Sequence, residues 1–147
     1  MATIQLPPDF REFLKLLNSS NVEYLVIGGY AVNYYGFPRA TADLDIWIAI
    51  SPENSQRITA ALRTFGFAQA DAALFQRERQ VVRMGVPPMR LEILTTISGA
   101  EFTDCYARRV EAELDGVTIN LIHLDDLKRN KQASGRLKDR MDLEQLP

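Results

Sequence analysis

The sequence predicts an α/β fold of the α+β kind, a mixed β-sheet with helices packed on one face. Two observations carry that expectation. Short β-prone runs such as Tyr24 to Ile27 and Val117 to Ile122 alternate with stretches whose apolar residues recur at helical spacing. In addition, 147 residues with 46% hydrophobic content suffice for one core, and no Gly/Ser/Pro-rich linker divides the chain. A single domain over residues 1–147 is therefore expected.

Taken in order, Phe10, Phe13, Leu14 and Leu17 follow the i, i+3, i+4, i+7 pattern behind Pro7-Pro8-Asp9, which predicts an amphipathic helix ending near Asn18 to Asn21. Tyr24 to Ile27 reads as a strand. Gly28-Gly29 ends it and opens a short helical segment, Tyr30 to Tyr35, which Gly36 and Pro38 stop. Leu44, Ile46, Ile48 and Ile50 then alternate with Asp43, Asp45 and Trp47, the signature of a strand. Ser51-Pro52-Glu53 starts a helix whose buried stripe is Ile58, Ala61, Leu62 and Phe65, closed by Gly66. Leu74 to Gln76 and Gln80 to Met84 read as a hairpin-like pair of strands. Val86-Pro87-Pro88 separates them from a further strand around Glu92, Met89 to Thr95. Glu101 to Arg109 is a short helix, and Gly116 precedes the strand Val117 to Ile122. Two C-terminal helices, broken at Gly135-Arg136, complete the chain.

The chemistry concentrates between residues 28 and 45. Side chains two apart on a strand share a face, so Asp43 and Asp45 lie side by side with Cα atoms roughly 6.5 Å apart. Two carboxylates so placed repel unless a cation joins them, and Mg²⁺ or Mn²⁺ accepts such oxygen ligands along with substrate phosphates. Gly28 and Gly29, lacking side chains, let backbone N–H groups approach a phosphate at a helix start. Glu92 is a lone acid flanked by apolar residues, either a third carboxylate or simply an acid on an exposed strand face.

The glycine pair, short helix and Asp-x-Asp resemble the nucleotidyltransferase superfamily typified by DNA polymerase beta. The resemblance implies a minimal nucleotidyltransferase fold and transfer of a nucleoside monophosphate from a nucleoside triphosphate to a hydroxyl, with release of pyrophosphate. It also implies Mg²⁺ (or Mn²⁺) held by Asp43, Asp45 and Glu92, and phosphates held at Gly28 and Gly29. Aspartate is commoner in that family at the position of Glu92, and the extra methylene displaces the carboxylate. Arg39 and Thr41 would position the loop or a phosphate, while Lys131, Arg136 and Lys138 would neutralise charge on the leaving pyrophosphate. The tail from Leu124 to Asp142 is similar to the end of small bacterial members, some of them toxins of abortive-infection systems. Little chain is left over for a dedicated acceptor-binding domain. That leaves a tRNA end, a protein hydroxyl or a small molecule as the expected acceptor, with a helical partner protein or a second copy supplying the missing wall. The alternative is a non-catalytic nucleotide-binding regulatory or antitoxin module of the same fold.

Net charge −2 and a pI near 5.4 argue against the broad positive field of a general nucleic-acid binder, so any such contact must be local. Lys128, Arg129, Lys131, Arg136, Lys138 and Arg140 crowd one segment, partly neutralised by Asp125, Asp126, Asp139 and Asp142; they form either a solvated helix surface or a triphosphate-facing wall. No signal region and no apolar run near the roughly 18 residues of a membrane span is evident, so a cytoplasmic protein is expected. The single cysteine, Cys105, precludes an intramolecular disulfide, and the single histidine, His123, is expected to cap or pack. Trp47, on the aspartate face by parity, would either pack or stack on a base.

Overall fold

A computed structural model describes residues 5–36, 43–86 and 90–147. The first helix, α1 (Pro8–Ser19), buries Phe10, Phe13, Leu14 and Leu17, as its periodicity requires. It is followed by β1 (Tyr24–Ile27), α2 (Gly28–Tyr34) and β2 (Leu44–Ile48). In α3 (Pro52–Phe65) the Ser51 hydroxyl accepts a hydrogen bond from the Asn54 N–H at 3.0 Å, a cap of the kind that contributes about 1 kcal/mol. Strands β3 (Val81–Met84) and β4 (Leu91–Leu94) come next, then α4 (Phe102–Ala107), β5 (Val110–Leu114), β6 (Val117–Leu121), α5 (Leu124–Ser134) and α6 (Leu137–Gln145).

The strands form one six-stranded mixed sheet in the order β3-β4-β2-β1-β6-β5. Pairing is antiparallel for β1/β2, β3/β4 and β5/β6, and parallel for β2/β4 and β1/β6. Leu44, Ile46 and Ile48 are fully buried on one face, with Tyr24 and Val26 as cross-strand neighbours. That face meets α1 and α3: the Tyr24 hydroxyl donates to the Asn18 side chain at 2.8 Å, and Phe13 packs edge-on against Phe65. Asn54 ties α3 to the sheet by accepting from the Glu23 N–H and donating to Glu23 and Ala49 carbonyls. The opposite face carries Asp45 and Trp47, rimmed by α4, α5 and α6.

Two expectations need correction. Leu74–Gln76 is a single 3-10 turn, with Phe75 buried beneath it, so the partner of β3 is β4. A three-residue segment with two apolar residues, beside Ala72-Ala73, satisfies its backbone locally and has no length to pair. The second correction is a gain, since Val110–Leu114 is a strand forming a hairpin with β6. Asp115 and Gly116, at φ 50° and 80°, make the two-residue turn. Positive φ at both central positions matches the twist of the flanking strands, which is why Asp-Gly favours such turns. As an edge strand buried on one side only, β5 alternates exposed Glu111 and Glu113 with buried Ala112 and Leu114.

Candidate active site

Strand register builds the site. In β2, Asp45 stands opposite Ile27 of β1 on one side and Glu92 of β4 on the other. The chain turns into α2 directly after Ile27, through Gly28 at φ +68°. A Cβ there would overlap Asp45 Oδ2 and sit 2.9 Å from its Cγ, so only glycine lets the backbone reach this carboxylate. Asp43, Asp45 and Glu92 thus share one sheet face beside the start of α2.

Asp45 is the electrostatic centre. Burial pushes its carboxyl up to about 7, assisted by a hydrogen bond with Glu92 and by repulsion from Glu92 and Asp43; Lys138 pulls the other way. Its Oδ1 is buried without a hydrogen-bond partner. An orphaned carboxylate oxygen costs free energy unless a proton or a cation arrives. The other two acids have arginine partners that the sequence reading missed. Arg90 donates to Asp43 at 2.8 Å, and Arg83 to Glu92 at 2.8 Å. The signal for Arg83 was available: strand parity puts it on the same face as Glu92, its cross-strand neighbour in β3.

Among the described residues no three His, Cys, Asp or Glu side chains are arranged as a ready ligand set. The donor chemistry nevertheless fits a hard divalent ion, because all donors are carboxylate oxygens, one of them buried and unsatisfied, beside a glycine that leaves the approach open.

The expected cations take different places. Arg136 and Lys138 line the cleft above the carboxylates, and Arg136 is anchored by Asp139, which accepts from its Nε at 2.8 Å. Lys131 also reaches the cleft wall, but its ammonium is almost entirely buried between Asp139 and Asp142, 3.2 Å from each. Burial alone would raise the Asp139 carboxyl; hydrogen bonds from Arg136, Ser134 and Lys131 outweigh it and hold the group well below the usual carboxylate range. Lys131 therefore closes the joint between α5 and α6 and carries Arg136 and Lys138 with it. Arg39 and Thr41 lie outside the described residues.

The cleft encloses about 1100 Å³ and runs along the sheet from Gly28 and Gly29 past Asp45 and Glu92 to Leu94, Thr96 and Phe102. That is room for a nucleotide and part of a second reactant. Helix α5 is set over it by close packing at Gly99, where a Cβ would lie 2.6 Å from that of Ala133, and by Asn130, which donates to the Ser98 carbonyl at 3.0 Å. Trp47 forms the cleft floor as a packing residue. It is 1% exposed, lies edge-on to Phe102 at 5.1 Å, and donates from its indole to the Thr95 carbonyl. No ring face is left for a base. His123 caps α5 by accepting from the Asp125 N–H.

No family model and no curated protein matches the chain. Among solved structures, a candidate nucleotidyltransferase from Thermotoga maritima superposes with a TM-score of 0.66 at 17% identity, covering 96% of this chain and 94% of the other. An antigenic nucleotidyltransferase-like protein from Paracoccidioides brasiliensis superposes with a TM-score of 0.55, also at 17% identity, covering 91% of this chain and 70% of the other. Among the described residues no helix is long and apolar enough to cross a membrane. At such identity the likeness is one of architecture: the mixed sheet of six strands and the six α-helices among the described residues have the fold of these nucleotidyltransferase-like structures.

Proposed function

We propose that the chain is a Mg²⁺-dependent cytoplasmic nucleotidyltransferase that moves a nucleoside monophosphate from a triphosphate to a hydroxyl, releasing pyrophosphate. The observation that carries the reading is Asp45: a half-hidden carboxylate with an unsatisfied oxygen, paired across the sheet with Glu92, abutting Gly28 at the head of the cleft. Asp43, Asp45 and Glu92 would hold the divalent ion (Mg²⁺ or Mn²⁺), which when bound supplies charge neutralisation to the attacking and leaving oxygens.

The chain's own groups do the rest. Backbone N–H groups at Gly28 and Gly29 orient the terminal phosphates. Arg136, held by Asp139, and Lys138 line the cleft and neutralise the charge that develops as the bond from the α-phosphorus to the bridging oxygen breaks and the acceptor oxygen bonds to phosphorus. Glu92, the cross-strand neighbour of Asp45, takes the acceptor hydroxyl's proton. The acceptor is an RNA end, a protein hydroxyl or a small molecule. A helical partner or second copy completes its wall, as in a toxin–antitoxin pair.

The test incubates the protein with Mg²⁺, each α-phosphate-labelled nucleoside triphosphate and cell lysate, beside Asp45→Asn. Label entering RNA, protein or small molecules only with Asp45 intact identifies both the transferase and its acceptor class. An equally active Asp45→Asn protein would sink the mechanism.

A second reading has its own observation. Arg83 and Arg90 already neutralise Glu92 and Asp43, as suits a nucleotide-binding regulatory or antitoxin module without turnover. Such a module would bind triphosphate equally with and without Mg²⁺, whereas the enzyme would require the ion.

A further inference from the structure

We propose that Arg83 is an exchangeable counter-ion of the carboxylate cluster: it neutralises Glu92 while the site lacks a divalent ion, yields Glu92 when the ion binds, and then pairs with a phosphate of the nucleotide. This rests on the transferase reading above and adds a residue and an order of events to it.

Three features support the exchange. Arg83 donates from Nε to Glu92 Oε1 at 2.8 Å, so it occupies an oxygen that the ion needs. The pair is asymmetric, since the Arg83 side chain is 59% exposed while that of Glu92 is 17% exposed. With its guanidinium largely in solvent, Arg83 is held weakly, so a divalent ion can displace it. Finally, Arg83 lines the same cleft as Gly28, Gly29, Arg136 and Lys138, and its edge strand gives the freed side chain open space over that cleft. A guanidinium suits phosphate oxygens, to which it can donate two parallel hydrogen bonds. No covalent step is involved; one ion pair is exchanged for another. Arg90 does not duplicate the device, because it holds Asp43 at the far side of the cluster from β3.

Exchange predicts opposite effects of one substitution on two ligands. Binding of Mn²⁺ alone, and of inorganic tripolyphosphate premixed with Mn²⁺, would be measured by calorimetry on the wild type, Arg83→Gln and Arg79→Gln. Arg79 is a cleft cation on the loop before β3 and controls for simple loss of positive charge. Arg83→Gln should bind Mn²⁺ about three- to tenfold more tightly than Arg79→Gln does, yet bind the Mn²⁺–tripolyphosphate about tenfold more weakly than the wild type. Equal Mn²⁺ affinity in the two variants, or undiminished tripolyphosphate binding in Arg83→Gln, overturns the exchange and leaves the transferase reading standing. A folded wild type that binds no Mn²⁺ overturns both.

Discussion

Gly28 and Asp45 are packed so closely that the smallest side chain on the glycine would occupy the space of the aspartate's Oδ2. The positive φ of Gly28 adds a second reason for glycine, because an L-residue there is strained by about 1–3 kcal/mol. Gly28→Ala should therefore lower stability by roughly that amount and push the Asp45 carboxyl out of the site. Chemical denaturation and triphosphate binding measured together check it. A stable variant with unchanged binding would show that the glycine is not what opens the carboxylate to ligands.

Asp45 makes stability depend on pH in an unusual direction. Its folded value of about 7 lies above the ordinary 3.8, so between these values the native state holds a proton that the unfolded chain has released. Stability from this group is fully present below about pH 4 and is lost as pH rises through about 7. The loss is about 4 kcal/mol at most. Melting temperature should therefore fall from pH 5 to pH 8 in the wild type, change less in Asp45→Asn, and be restored at pH 8 by Mg²⁺ in the wild type only.

The site was legible because it is local. Strand parity alone put Asp43 and Asp45 on one face, and the glycine pair lay a fixed distance upstream. The apolar alternation around Glu92 identified its strand, and the register that sets it beside Asp45 follows from the parallel β2/β4 pairing. What could not be read was the ionic partnering. The helix break at Gly135-Arg136 made Lys131 a candidate to face a triphosphate, but its distance from solvent depends on how α5 and α6 fold back on each other. Trp47 shows the same limit: parity gave its face, whereas its burial is decided by Phe102 from a helix more than fifty residues away. The missed β5 is of another kind, since Asp115-Gly116 announced a hairpin in plain view and the polar alternation of an edge strand masked it.

The buried joint between α5 and α6 should be costly to break. Asp139 is fully buried and accepts from Lys131, Ser134 and Arg136, so Asp139→Asn removes one of the two carboxylates, Asp139 and Asp142, that hold the Lys131 ammonium. Removing one member of a buried ion pair typically costs about 3–5 kcal/mol. Because the Asp139 carboxyl is depressed in the fold, its contribution is fully present above the ordinary carboxylate value, begins to decline below it, and is lost only as pH falls through the depressed folded value. This acid limb is separate from the Asp45 limb at neutral pH. Urea titrations at pH 3 and pH 7 check it, the gap between the wild type and Asp139→Asn being narrower at pH 3 without closing.

Trp47 separates packing from recognition. Its ring is enclosed by the sheet and Phe102, and its indole N–H is satisfied by the Thr95 carbonyl. Trp47→Phe keeps an aromatic edge for Phe102 but loses volume and that hydrogen bond. The expected cost is about 1–3 kcal/mol in stability. Since the indole offers no face to the cleft, affinities for the four nucleoside triphosphates should keep their rank order. A reordered preference in Trp47→Phe, with the melting temperature unmoved, would mean that the ring contacts the base after all and that the floor of the cleft opens on binding.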